Sequence, residues 1–259
     1  MNFTTVAIFG ICFIFLMTCL GASIIFLFKR EIGQKYKVFF LSFAGGIMLA
    51  SSFFSLLVPS ISSAENFGNL AFLPCAVGFL LGCIFMFVLD IILNKSQNND
   101  SKCTTHFTRN QKMFVAISLH NIPEGLSVGL AIGSSFLAGS SISFITALSL
   151  AIGIGIQNIP EGLAVSLPIF EESGKKGKAF LYGVFSGILE PLAAILGLFL
   201  SSIFSVLLPW FLAFAGGTMI YTIVNELLPE TKSDSASSKG TWFFIAGFLI
   251  MMILDVAFS

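Results

Sequence analysis

The chain has 259 residues, of which 56% are hydrophobic and only 10% charged, and its formal net charge is zero. A soluble domain would carry about 25% charged residues, so the composition excludes a sizeable water-facing domain. Charge balance gives no basic surface for nucleic acid.

Eight apolar runs follow one another, at 3–28, 38–62, 70–93, 113–137, 141–170, 179–203, 207–229 and 241–258. Each is near the length needed to cross a bilayer as a helix. The first begins without a leading positive charge, unlike a cleaved signal peptide, and is predicted to be a true span. All 13 Lys and Arg residues fall between spans 1 and 2 (Lys29, Arg30, Lys35, Lys37), 3 and 4 (Lys95, Lys102, Arg109, Lys112), 5 and 6 (Lys175, Lys176, Lys178), or 7 and 8 (Lys232, Lys239). In an eight-span chain those loops share one face. The positive-inside rule makes it cytoplasmic and places both termini outside. The expected class is an all-α polytopic membrane protein, residues 1–259 forming one transmembrane domain with a cytoplasmic loop at 94–112. It would lie in the cytoplasmic membrane of a bacterium, or a plasma or organelle membrane of a eukaryote.

Cys12, Cys19, Cys75 and Cys83 lie in apolar runs and read as small core residues, while Cys103 sits in the polar loop. Nothing suggests a disulfide framework.

Spans 4 and 5 align at an offset of 37 residues: His120-Asn121-Ile122-Pro123-Glu124-Gly125-Leu126-Ser127-Val128 against Gln157-Asn158-Ile159-Pro160-Glu161-Gly162-Leu163-Ala164-Val165. Span 2 carries Ala44-Gly45-Gly46-Ile47-Met48 and span 7 Ala215-Gly216-Gly217-Thr218-Met219. Span 3 has Gly78-Phe79-Leu80 and span 8 Gly247-Phe248-Leu249. These matches predict a 3+2+3 plan in which spans 1–3 recur, inverted, as spans 6–8, with 4 and 5 between them. Inverted repeats with broken helices at the midplane are a recurrent transporter design.

Residues three and four apart share a helix face. His120, Asn121 and Glu124 therefore point one way, as do Gln157, Asn158 and Glu161. Glu124 stands about 18 Å from Lys112 at 1.5 Å rise per residue, near mid-bilayer. Pro123 and Pro160 lack an N–H, which predicts kinks and frees the carbonyls of Leu119 and Ile156. Glu190, in Leu189-Glu190-Pro191, is a third intramembrane acid. No Lys or Arg lies in a span, and the buried acids are Asp90, Glu124, Glu161, Glu190, Glu226 and Asp255. Ionisable groups at bilayer depth are costly and read first as functional. Imidazole, carboxylate and amide donors together suit a divalent metal held without being trapped.

The doubled phrase, Leu189-Glu190-Pro191 and the eight-span plan together resemble the ZIP (Zrt-, Irt-like) divalent metal transporters, over essentially the whole chain. The resemblance implies a binuclear centre on spans 4 and 5 and movement of substrate into the cytoplasm. The substrate would be Zn2+, with Fe2+, Mn2+ and Cd2+ as alternatives. By motif, the first metal would use His120, Glu124, Gln157 and Glu161. The second would use Asn121, Asn158 and Glu190, with Glu124 and Glu161 bridging. Met48 resembles a family residue that reaches the first metal, and Ser55, Asp90, Glu226 and Asp255 are candidate pathway residues. The sequence departs from many family members at Gln157, where they have His, and in the 94–112 loop, which contains only His106. The implied partners are divalent ions, the lipid bilayer and a second copy of the chain as a homodimer.

Plainer readings compete. Intramembrane glutamates also make interhelical hydrogen bonds, but duplication of the motif favours ligands. Solvated span-end carboxylates would equally account for Asp90, Glu226 and Asp255, and packing for Met48. A membrane metal sensor or receptor could use the same site. Gly125-Leu126-Ser127-Val128-Gly129 matches the hydrolase string G-x-S-x-G, but that motif needs a strand-to-helix elbow, so no enzyme is expected.

Overall fold

The computed structural model describes residues 2–28, 34–98, 109–137, 143–231 and 237–258. Eight helices are long and apolar enough to cross a membrane: α1 (Phe3–Leu27), α2 (Val38–Ser63), α3 (Phe67–Leu93), α4 (Met113–Ser134), α5 (Phe144–Ser173), α6 (Lys176–Phe204), α7 (Leu208–Leu227) and α8 (Ser238–Ala257). The expected spans are all present. The 94–112 loop is helical at both ends, since the third helix runs on to Asn98 and the fourth begins at Arg109. Residues 99–108, with Cys103 and His106, lie outside the described residues.

Because surrounding lipid is as apolar as a leucine side chain, helices here associate through close packing rather than through burial of apolar area. The four dominant pairs are α1–α5, α2–α8, α3–α7 and α4–α6. Exchanging α1–α3 with α6–α8 and α4 with α5 turns α1–α5 into α6–α4, and α2–α8 into α7–α3. The packing thus carries the inverted repeat. A Cβ on Gly46 would meet the Phe244 carbonyl in α2–α8, and one on Gly217 would meet the Phe79 carbonyl in α3–α7. Gly46 and Gly217 are 171 residues apart, which is the offset of the Ala-Gly-Gly match.

The register of α3 against α8 differs from the expected one. Gly247 abuts the Phe43 carbonyl and Gly82 the Phe214 carbonyl, so Gly82, not Gly78, is the counterpart of Gly247. The sequence match is one helical turn out, because Gly followed by apolar residues recurs in this composition.

α4, α5 and α2 are the most interior helices: 78% of the apolar window of α4 and 67% of those of α5 and α2 is buried, against 17% for α3 and α8. The four cysteines of the spans are not core residues. Cys12 is exposed, and Cys19, Cys75 and Cys83 are half-buried. In a bilayer both the packed and the lipid-facing sides of a helix are apolar, so hydrophobicity alone does not tell inside from outside.

The prolines at which kinks are expected do not interrupt α4 or α5. Both helices continue through Pro123 and Pro160. A proline removes only one ladder bond, and packing within a bundle tolerates that loss. The irregularities lie elsewhere. α6 is interrupted at Ile188, between Lys176–Gly187 and Leu189–Phe204. Pro191 lacks the N–H that would reach Gly187 four residues back, which accounts for the break. α2 has a π turn at Ser52–Leu57 and α7 one at Ile223–Leu227.

Candidate metal centre

The unbroken helical spacing of α4 and α5 carries both copies of the phrase into one interior volume. His120, Glu124, Gln157, Glu161 and Glu190 are all 0% exposed, and Asn121 and Asn158 are 1% exposed. Glu190 joins them because α6 restarts at Leu189, pointing the first turn of its second half inward. Gly125 lets α6 approach: a Cβ there would meet the Glu190 carbonyl. Gly162 does the same for α1, where a Cβ would meet the Thr18 carbonyl.

One ligand atom from each of His120, Glu124 and Glu161 lies within 4.8 Å of the others. His120 Nε2 is 3.6 Å from Glu161 Oε1 and 3.9 Å from Glu124 Oε1. Gln157 Nε2 donates to Glu124 Oε1 and Oε2 at 3.3 and 3.2 Å. On the other side, Asn158 Nδ2 donates to Glu190 Oε2 at 2.6 Å and to the Ile14 carbonyl at 3.1 Å, while Asn121 Nδ2 donates to the Ser186 carbonyl at 3.1 Å. Amide nitrogens thus face protein oxygens, and the amide oxygens are left over.

The leftover atoms define the chemistry. Both nitrogens of His120, both carboxylate oxygens of Glu161, Glu190 Oε1, and the side-chain oxygens of Asn121, Gln157 and Asn158 are buried without a hydrogen-bond partner. Buried polar groups in folded proteins are nearly always paired, and buried carboxylates need a compensating charge. The described residues place no Lys or Arg there. A nitrogen-and-oxygen donor set of this kind fits a divalent cation.

The remaining candidates have neighbours of their own. Met48 is fully buried in the apolar core with Ile154 and Met219. Ser55 Oγ donates to Asp255 Oδ1 at 2.5 Å. That pair lines a cavity of about 450 Å³ on the face where α2 and α8 end. Asp90 and Glu226 lie together at the opposite end, lining a cavity of about 10 Å³ with Tyr221.

Sequence reasoning passes over Thr18, which faces Gly162 as Glu190 faces Gly125 and is fully buried. Its helix shares no residue phrase with α6 to mark the equivalence. It also passes over Gly153, which backs the Ser55–Asp255 pair. Ser127, the would-be nucleophile, is fully buried within a continuous helix and donates to the Pro123 carbonyl at 2.8 Å. There is no elbow.

The family model for ZIP zinc transporters matches residues 94–255. The chain is 33% identical to the zinc transporter ZIP11 of Xenopus tropicalis, over 93% of each chain, and 32% identical to zinc transporter ZIP11 of Homo sapiens, over 96% of each. It is 34% identical to the zinc transporter ZIPB of Bordetella bronchiseptica, over 94% of this chain and 78% of that protein. With this packing, this buried donor set and these relatives, the chain belongs to the ZIP family, as a multi-spanning membrane transporter of metal ions and not an enzyme.

Proposed function

We propose that the protein carries Zn2+ into the cytoplasm through the centre on α4, α5 and α6. The observation that carries this reading is the cluster of His120, Glu124 and Glu161, wholly buried in the interior of an eight-helix membrane bundle with most of its ligand atoms unpaired. In this reading His120, Glu124, Gln157 and Glu161 hold one ion. Asn121, Asn158 and Glu190 hold a second, with Glu124 and Glu161 shared between them. The relatives named above are zinc transporters, which supports zinc over Fe2+, Mn2+ or Cd2+ as the principal substrate.

The clustering of Lys and Arg in the odd-numbered loops supports a cytoplasmic assignment for that face. The large cavity then opens outward and receives the ion past Ser55 and Asp255, while Asp90 and Glu226 stand on its way out. Met48 packs beside the route. All 259 residues act as one transport domain, and the loop at 94–112 is cytoplasmic. A homodimer belongs to the same reading, and light scattering on the purified protein tests it.

Radioactive zinc uptake into proteoliposomes is the deciding experiment. Saturable uptake by the wild type, lost in both Glu124→Ala and Glu161→Ala, is the expected result. Competition by Fe2+, Mn2+ and Cd2+ ranks the substrates. Stoichiometric zinc binding without uptake by well-folded wild type would instead establish a membrane metal sensor.

A further inference from the structure

Among the described residues, Thr18 is the one polar side chain on the buried face of α1, where the others are apolar or glycine. Its hydroxyl and its methyl have separate places. Oγ1 donates to the Ile14 carbonyl at 3.3 Å. Cγ2 fills a notch at Gly187 of α6, where an added Cβ would come within 2.7 Å of it. Gly187 is the last residue before the interruption of α6 at Ile188. The Thr18 carbonyl lies against Gly162 of α5. Thr18 therefore stands where α1, α5 and the break in α6 meet.

The Ile14 carbonyl is used twice. Besides Thr18 Oγ1 it accepts Asn158 Nδ2 at 3.1 Å, and the same Nδ2 donates to Glu190 Oε2 at 2.6 Å. A side-chain amide nitrogen carries two hydrogens, so both are committed. That fixes which way the Asn158 amide faces. Its Oδ1 is left without a hydrogen-bond partner, as is Glu190 Oε1. The inverted repeat holds a second clamp of the same form, in which Asn121 Nδ2 donates to the Ser186 carbonyl at 3.1 Å. Asn121 and Asn158 are 37 residues apart, Ile14 and Ser186 are 172 apart, and Thr18 and Glu190 are also 172 apart. Four residues beyond the clamped carbonyl, one copy carries an acid of the centre and the other carries Thr18.

A threonine bonded to the carbonyl four residues back is ordinary, and by itself would only satisfy a buried hydroxyl. A carbonyl shared with the amide of a candidate ligand is not. Such back-bonding bends a helix, and here the bend turns the Ile14 carbonyl towards α5. We propose that Thr18 is a positioning residue for the second ion: through the Ile14 carbonyl its hydroxyl orients the Asn158 amide, which in turn holds Glu190 with one oxygen free. The inference rests on the two-ion reading of the centre, in which Asn158 and Glu190 serve the second ion. Thr18 acts through Asn158 and not on the ion. Valine at position 18 would set a methyl where the hydroxyl now meets the carbonyl, so that the carbonyl is pushed away and the amide is freed to turn.

Three substitutions separate the hydroxyl from the packing. Thr18→Val removes the hydroxyl and keeps the shape. Thr18→Ser keeps the hydroxyl and empties the notch at Gly187, and Thr18→Ala removes both groups. Each full-length protein is stripped of metal and titrated with Zn2+ by calorimetry. Wild type and Thr18→Ser are expected to bind two ions alike. Thr18→Val and Thr18→Ala should bind the first ion within about twofold of wild type and the second at least about tenfold more weakly, the range for losing a group that orients a ligand. Should Thr18→Val fail to fold, Thr18→Ser against Thr18→Ala makes the same comparison at smaller size. Wild-type affinity for the second ion in both variants lacking the hydroxyl would overturn the inference. So would equal weakening in Thr18→Ser, or equal weakening of both ions, since either would mean that Thr18 only packs. In each of these cases the two-ion reading stands. A wild type that binds fewer than two ions would overturn that reading, and the inference with it.

Discussion

The two halves of the metal centre share a backbone and differ in what they offer an ion. α4 presents His120, Asn121 and Glu124, and α5 presents Gln157, Asn158 and Glu161. α6 sets Glu190 beside Gly125, where α1 sets Thr18 beside Gly162. The carboxylates and asparagines are kept in both copies, while an imidazole and a third acid belong to the α4–α6 half alone. Contacts mirror that division. Glu124 is held by the Gln157 amide, whereas both oxygens of Glu161 are left without a hydrogen bond. The repeat therefore builds the scaffold symmetrically and distributes charge and softness unevenly. The buried cluster of ligand atoms accordingly draws on both helices, with His120 and Glu124 from α4 and Glu161 from α5.

Removing a carboxylate from either half is the strongest way to break this comparison. Glu124→Gln and Glu161→Gln are each expected to lower zinc uptake at least about 100-fold, equivalent to roughly 2.7 kcal/mol. Each should also raise the melting temperature of the metal-stripped protein, since an uncompensated buried charge is removed. Zinc-induced stabilisation should disappear at the same time. Thermal scans with and without zinc check both signs. Retained uptake in one of the two variants would mean that only the other half holds the ion.

Glu190→Thr makes α6 resemble α1 at this position. Asn158 then loses its acceptor at 2.6 Å, and one of three carboxylates leaves the centre. Bound zinc, measured by elemental analysis, should fall from two ions to one, with uptake reduced about tenfold, in the range seen when a supporting ligand is lost. Gln157→His makes α5 resemble α4 instead. Imidazole is a better zinc donor than an amide oxygen, so zinc should bind about tenfold more tightly (~1.4 kcal/mol) and leave more slowly. Equilibrium titration and the maximal uptake rate separate these effects.

Much of this centre is legible in the sequence because its residues violate their surroundings. Acids and amides in an apolar run, repeated at a fixed offset, identify α4 and α5 without coordinates. Charge placement sets the number of spans for the same reason, since every Lys and Arg lies between them. Features made by packing are less visible. The α3–α8 register depends on one glycine among several, and the sequence match misplaces it by a turn. Prolines mark all three helices, yet only α6 is interrupted, beside Pro191, while α4 and α5 run on through Pro123 and Pro160. The π turns leave no residue signature, because the extra residue in each is an ordinary one. Thr18 is invisible because divergence in charge removed the likeness that would have marked it.

Ser127→Ala is expected to have the smallest effect, and the molecule already contains the comparison. Ser127 sits three residues after Glu124, and its counterpart 37 residues on is Ala164, three residues after Glu161 and equally buried. α5 therefore performs its part with a methyl at that place. Ser127 bonds only within its own helix, to the Pro123 carbonyl, and a typical hydrogen bond contributes about 1 kcal/mol net. Uptake should stay within about twofold of wild type, with a melting temperature lowered by no more than about 3 °C. Loss of uptake in a folded Ser127→Ala variant would show that the hydroxyl serves the ion directly, a role that the α5 copy has no atom to share.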